Sequence, residues 1–134
     1  PAPRTMTIRL AVGSRVPLAQ TGMGRAGLAA LEPPEREATI ADLAPGYGAD
    51  WPAVEADLRA ELALAERRGW AMTLGGWIPE ANSAGAVIRG RDGRPAYGLN
   101  IGGLRSAVTE ARLEAELGPR LLELARRLER MVRP

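Results

Sequence analysis

The chain has 134 residues, a net charge of +2, no Cys, no His and no Phe, and all 18 of its basic residues are Arg. That length suits one domain with one core, and 46% hydrophobic with 25% charged residues is globular rather than disordered composition. The missing residue types exclude disulfide frameworks, thiolate nucleophiles and zinc fingers (Cys), Ser–His–Asp triads and HExxH sites (His), and Schiff bases and P-loop lysines (Lys).

Asp, Glu, Arg, Ser, Thr, Tyr, Trp and Asn remain for chemistry, so carboxylate-based hydrolysis and Mg²⁺ or Ca²⁺ binding stay open. The isoelectric point near 9.9 follows from late-titrating Arg and is no argument for nucleic acid. No segment forms a phosphate-neutralising basic stripe. No apolar run approaches the roughly 20 residues of a membrane span, and Pro1 to Arg4 has no signal-peptide core. A soluble cytoplasmic protein is expected. The chain starts without Met and enters a strand pattern almost at once, as expected of a domain cut from a longer protein.

Met6, Ile8, Leu10 and Val12 alternate with Thr5, Thr7, Arg9 and Ala11, which predicts a strand over Thr5–Val12. Gly13-Ser14 and Pro17 end it. The run Thr21 to Leu31 is dominated by small residues and predicts a closely packed helix from about Gly24, with Thr21 or Gly22 at its N-cap. Pro33-Pro34 opens a second helix through Leu43, and Ala44 to Gly48 reads as a loop.

Asp50-Trp51-Pro52 is a helix start. Val54, Leu58, Leu62 and Ala65 continue it at helical spacing, and Gly69 fits a left-handed C-cap. Trp70 to Leu74 reads as a short strand broken by Gly75-Gly76. Trp77 to Ala86 is irregular, polar and small. A strand ending at Val87-Ile88 runs into the Asp92-Gly93 hairpin signal and returns over Pro95 to Ile101, closed by Gly102-Gly103. Leu113, Leu117, Leu121, Leu124, Leu128 and Met131 form an amphipathic stripe over Glu110–Val132, which Gly118-Pro119 should kink or restart. Glu110 and Glu114 near its start, with Arg130 and Arg133 near its end, suit the helix dipole. The sum is α+β: a small antiparallel sheet, several helices and a long closing helix.

Two places could carry chemistry. Gly22-Met23-Gly24-Arg25-Ala26-Gly27 matches G-x-G-x-x-G, but no buried strand precedes it and no βαβ unit follows. Small residues for helix packing are one reading. A carboxylate cradle of N-terminal amides is another. The second place is Gly75 to Ala86 with Leu99 to Gly103. Asn82, Ser83 and Asn100 are uncharged polar groups among small residues, and Trp77 offers an apolar wall, a mix that suits a small-ligand pocket. The competing reading is that Asn82 and Ser83 cap a turn and Asn100 is an edge residue. The pairs Glu35/Glu37, Asp57/Glu61 and Glu114/Glu116 are interleaved with Arg and expected on solvated helix faces.

The order of these motifs resembles the effector-binding domain of the IclR family of bacterial transcriptional regulators. Arg15 to Leu18 followed by Thr21 to Leu31 is similar to that family's "PL…TGxGRAxLAxL" segment. Arg68-Gly69-Trp70-Ala71 is similar to its "RGya" motif. Asn82 to Arg89, Asp92 to Arg94 and Ala96 to Gly103 are similar to its hairpin, and Leu113 to Leu128 to its closing helix.

The resemblance implies a GAF-like or profilin-like curved antiparallel sheet flanked by helices, with residues 1–134 as a single, partial effector-binding domain. The winged helix-turn-helix that binds operator DNA lies outside this chain. It implies no catalysis, no cofactor and no metal. The implied partners are a small organic acid effector, operator DNA through the missing domain only, and a second copy in a homodimer or homotetramer, without a membrane. By position, the implied pocket involves Gly22, Met23, Thr73, Ala81, Ser83, Asn100 and Gly102. Gly24, Trp77 and Asn82 join it from the residue reading.

The chain departs from the family where a carboxylate-rich stretch is common. Here it reads Leu74 to Glu80, with Trp77 in it. Ser83 stands at a wall often Cys or Ala, and Asn100 and Gly102 replace two serines. Two other functions remain open on the residues: a small carboxylate-dependent enzyme using Asp50 and Glu80, and a dimerisation module through Leu113 to Met131.

Overall fold

The computed structural model describes residues 12–132. The strand expected over Thr5–Val12 lies outside them except for Val12, and so does Arg133. The described chain is α+β, with a three-stranded antiparallel sheet in the order β1-β2-β3. Helix α1 (Gly22–Ala30) begins where Thr21 caps it: Thr21 Oγ1 accepts from Gly24 N at 3.0 Å and donates to the Pro17 carbonyl at 2.8 Å. Helix α2 (Pro33–Leu43) starts on its proline pair.

The stretch read as a loop winds into two short 3₁₀ turns, Ala44–Gly46 and Gly48–Asp50. Helix α3 (Trp51–Arg68) follows. Asp50 occupies its N-cap but makes no side-chain cap bond, while Gly69 ends it at φ 86 in the left-handed region.

Strand β1 is Ala71–Leu74 and β2 is Ala81–Arg89. Strand β2 therefore starts inside the segment read as irregular, and Asn82 and Ser83 are strand residues rather than turn caps. They are held from both sides, with Asn82 opposite Leu74 and Gly103, and Ser83 opposite Thr73 and Gly102. Strand β3 (Pro95–Leu104) runs through Gly102-Gly103, which do not close it.

Alternation gives the sheet two faces. Ala84, Ala86 and Ile88, with Met72 of β1, point into the larger core beside Trp70, Leu113, Leu121 and Ala125. The closing helix covers this face. It begins as a short turn, α4 (Glu110–Arg112), widens into a π-turn over Leu113–Leu117, and continues as α5 (Gly118–Val132).

The π-turn is the physical form of the interruption expected at Pro119. Proline has no N–H to donate, and Gly118 N–H reaches back to the Leu113 carbonyl. Gly118 then lies against the Trp70 ring, so closely that any Cβ there would overlap it. Leu113 and Leu121 of the stripe are buried and Leu117 and Leu128 pack on the same core, whereas Leu124 and Met131 are exposed. Most of the stripe is thus used on the sheet. Ser83, Gly85 and Val87 point the other way, toward α1.

Candidate functional site

Helix α1 sits on the second face of the sheet at backbone contact distance. A Cβ on Gly22 would lie 2.7 Å from Ala84 C and Gly85 N, and one on Gly85 would overlap the backbone of Gly22 and Met23. The Met23 side chain reaches on across β3 and fills the space over Gly98. Glycines inside strand patterns are the sequence signal for such an approach, and Gly85 and Gly98 went unread.

Beside this seat lies a cavity of about 270 Å³. Thr21 and Met23 line it from the start of α1, with Val16 from the preceding segment. Thr73 of β1, Ala81, Asn82 and Ser83 of β2, and Asn100, Gly102 and Gly103 of β3 form its sheet side. Trp77 and Ile78 close it from the β1–β2 connection. Of the residues expected at a site, Met23, Thr73, Trp77, Ala81, Asn82, Ser83, Asn100 and Gly102 come together here. Gly22 and Gly24 do not line the cavity. Val16, Thr21, Ile78 and Gly103 line it and were not singled out; only strand register and the path of the connection bring them in.

Among the described residues, no charged side chain lines the cavity. Its polar groups differ in what they have left to give. Thr21 Oγ1 is engaged on both sides by the cap. Gly22 N donates to Ser83 Oγ at 3.3 Å, which leaves the Ser83 hydroxyl proton available. Gly24 N is held by Thr21, so the amides of Gly22 and Gly24 are both already bonded within the fold. Asn82 Nδ2 donates to the Val108 carbonyl at 2.8 Å, which ties the side chain to the opposite layer. Thr73 is 5% exposed and its Oγ1 has no partner among the described residues. Asn100 and Trp77 are exposed at the rim. The positive end of the α1 dipole points toward this region.

Glu35, Glu37, Asp57 and Glu114 stand on exposed helix faces as expected, with Glu116 half-exposed, and Glu61 is the exception. Glu35 makes a two-point contact with Arg94, and Glu37 with Arg59, so both tie α2 to other elements. Hydrogen bonding from Arg59 pulls the Glu37 carboxyl below its ordinary value. Glu61 is not on a solvated face: it is 7% exposed and accepts Met72 N at 2.7 Å. Burial pushes its carboxyl above the ordinary value, offset in part by Met72 N–H, Arg68 and Arg25. Glu116 lies near Arg112 and Arg120 at 3.5 and 3.7 Å. Neither Asp50 nor Glu80 lines the cavity. Among the described residues, no cluster of three or more acidic side chains is placed to hold a metal ion. No helix among them is long and apolar enough to cross a membrane.

Residues 2–130 match the family described as bacterial transcriptional regulator IclR C-terminal. The fold is similar to that of an IclR family transcriptional regulator from Brucella abortus, with 29% identity and a TM-score of 0.86 over 95% of this chain and 48% of that one. It is similar to IclR of Thermotoga maritima, with 25% identity and a TM-score of 0.77 over 95% and 51%. It also resembles the inducer binding domain of a double mutant of the Acinetobacter transcription factor PobR, in complex with 3-hydroxybenzoic acid. There the identity is 17% and the TM-score 0.69 over 87% and 67%, a likeness of fold. No curated protein sequence gives a match. The chain spans about half the length of the first two regulators.

Proposed function

The chain belongs to the IclR C-terminal family of bacterial transcriptional regulators, and we propose that it is the effector-sensing part of such a regulator, binding a small organic acid in the cavity beside α1. It is a regulatory domain and not an enzyme. DNA binding belongs to a separate N-terminal winged helix-turn-helix, and the effector acts by binding two states of the regulator unequally. The regulator works in the cytoplasm as a homodimer or homotetramer.

One observation carries the ligand reading. The Thr73 hydroxyl is buried and unpartnered on the floor of an uncharged cavity that the α1 N-terminus lines. A buried hydroxyl without a partner costs about 1–3 kcal/mol, and a ligand oxygen would remove that cost. The Ser83 hydroxyl and the helix dipole favour an anionic oxygen in the same place. With no cation among the described lining residues, one carboxylate is accommodated, whereas a second would be stranded among Val16, Ile78 and Met23. Trp77 and Ile78 suit an apolar body. Gly22 contributes by letting α1 sit close to the sheet, and Gly24 by letting the Leu18 backbone lie against α1, rather than through their own amides.

Thermal-shift measurements with aromatic and aliphatic monocarboxylates, 3-hydroxybenzoate among them, test this. A compound at 100 times its Kd stabilises by about 2.7 kcal/mol, which raises the melting temperature of a chain this long by about 10 °C. Ala81→Phe, which fills the cavity, should abolish the shift. If no compound stabilises the wild type, or Ala81→Phe leaves the shift intact, the cavity is not the effector site.

A further inference from the structure

A charged cluster, buried at Arg25 and Glu61 and exposed at Asp57, lies between α1, α3 and β1, and none of its side chains lines the cavity. Arg25 is 3% exposed. Its Nη1 donates to the Met72 carbonyl at 3.0 Å, its Nε to the Ala19 carbonyl at 2.8 Å, and its Nη2 to Asp57 Oδ2 at 2.7 Å. Glu61 takes the Met72 N–H at 2.7 Å and pairs with Arg68. Met72 lies on β1, an edge strand of the described sheet. Side chains from two helices, α1 and α3, thus hold the N–H and the C=O of a single strand residue.

Burial alone asks that these backbone groups find partners. It does not ask for charged ones, and a buried ion pair is a weak source of stability. The placement says what the charges are for. Thr73, the floor of the cavity, is the next residue after Met72. Arg25 stands two residues after Met23, which lines the facing wall. The Arg25–Met72 bond therefore ties α1 to β1 at the back of the cavity. On the other side Gly22 N bonds Ser83 Oγ, and Ser83 pairs with Thr73 across the sheet. The two ties fix the start of α1 on the sheet beside the ligand space.

We infer that Glu61 and Arg25 are positioning residues for the cavity, setting where the Thr73 hydroxyl stands relative to the first turn of α1. The inference rests on the cavity being the effector site. It goes beyond that reading by giving the site two determinants that no ligand touches. Glu61→Gln keeps an oxygen for the Met72 N–H, whereas Glu61→Leu removes it. Arg25→Lys keeps the charge, but a single ammonium cannot span the Ala19 and Met72 carbonyls as the guanidinium fork does.

The test uses the full 134-residue chain, well below its melting temperature, with two readouts: NMR signals of Thr73, Ser83 and the Met23 methyl, and the Kd for 3-hydroxybenzoate. In Glu61→Leu and in Arg25→Lys all three signals should move and binding should weaken about tenfold. Glu61→Gln should leave the signals in place and stay within about threefold. A folded Glu61→Leu or Arg25→Lys chain with wild-type signals and wild-type Kd overturns the inference, whatever its melting temperature. If Glu61→Leu does not fold, Arg25→Lys decides on the same criteria. If the wild type binds no probe, the effector reading fails and the signals alone decide: movement of Ser83, whose strand carries neither substituted residue, sustains the positioning role, and stillness overturns it.

Discussion

Replacing Gly22 by alanine should destabilise the protein although alanine is the better helix former. The added Cβ would lie 2.7 Å from Ala84 C and Gly85 N and 2.8 Å from Ala84 Cα. Ordinary contacts start at 3.4 Å, so α1 must lift by about 0.7 Å, in an interior packed to crystal-like density. All three atoms are backbone, so no rotamer change relieves the overlap. Overpacking of this kind costs about 1–3 kcal/mol. At about 4 °C per kcal/mol for a chain this long, the melting temperature should fall by about 4–12 °C.

Gly27 is the internal control. It lies on the same helix, and a Cβ there meets nothing within 4 Å. Gly27→Ala should gain about 0.5–1 kcal/mol and raise the melting temperature by about 2–4 °C. Thermal unfolding followed by circular dichroism reads both. A Gly22→Ala protein that melts at or above the wild type would refute the close seat of α1 on β2.

Gly118→Ala drives a methyl into the buried Trp70 ring and should cost about 1–3 kcal/mol, read in urea unfolding. Arg36→Met should cost about 2–3 kcal/mol in the same assay, because its guanidinium bonds the Leu28, Ala29 and Leu31 carbonyls at the end of α1 at 2.9, 2.9 and 3.1 Å. Glu61 gives a pH signature. Its folded value lies above the ordinary 4.5, so between the two the native state holds more protons than the unfolded state. Its contribution to stability is therefore fully present below pH 4.5 and is lost as pH rises through the raised folded value. The stability of wild type minus Glu61→Gln should fall across the window, and a flat or rising difference contradicts the raised value.

The helices were legible because their boundaries are written in residues with one steric meaning. Thr21 caps, Pro33-Pro34 and Pro52 start, and Gly69 adopts a φ that only glycine takes readily. The sheet was harder to read. Asn82 and Ser83 look like turn residues, and Gly102-Gly103 look like breakers. They are strand because each is paired with a neighbouring strand, a condition set by residues about 10 to 20 positions away.

The cavity was legible in part for the same reason. Thr73, Ser83 and Gly102 stand side by side across three strands, and no local pattern announces it. The family resemblance supplied their positions. Gly22 and Gly24 mark the limit from the other side, since a helix start made of small residues looks alike whether it faces a ligand or a strand. Glu61 was read as exposed because its helical neighbours are charged. Burial at that position comes from β1 packing onto α3, which periodicity within α3 cannot report.

The most direct measurement is a ¹³C-methyl and amide NMR titration of the chain with a series of small monocarboxylates. Met23, Thr73 and Ser83 should shift along one saturating curve for at least one compound, with Leu124 and Met131 on the far layer unchanged. Shifts confined to the α5 surface, or none for any compound, would contradict a ligand site between α1 and the sheet.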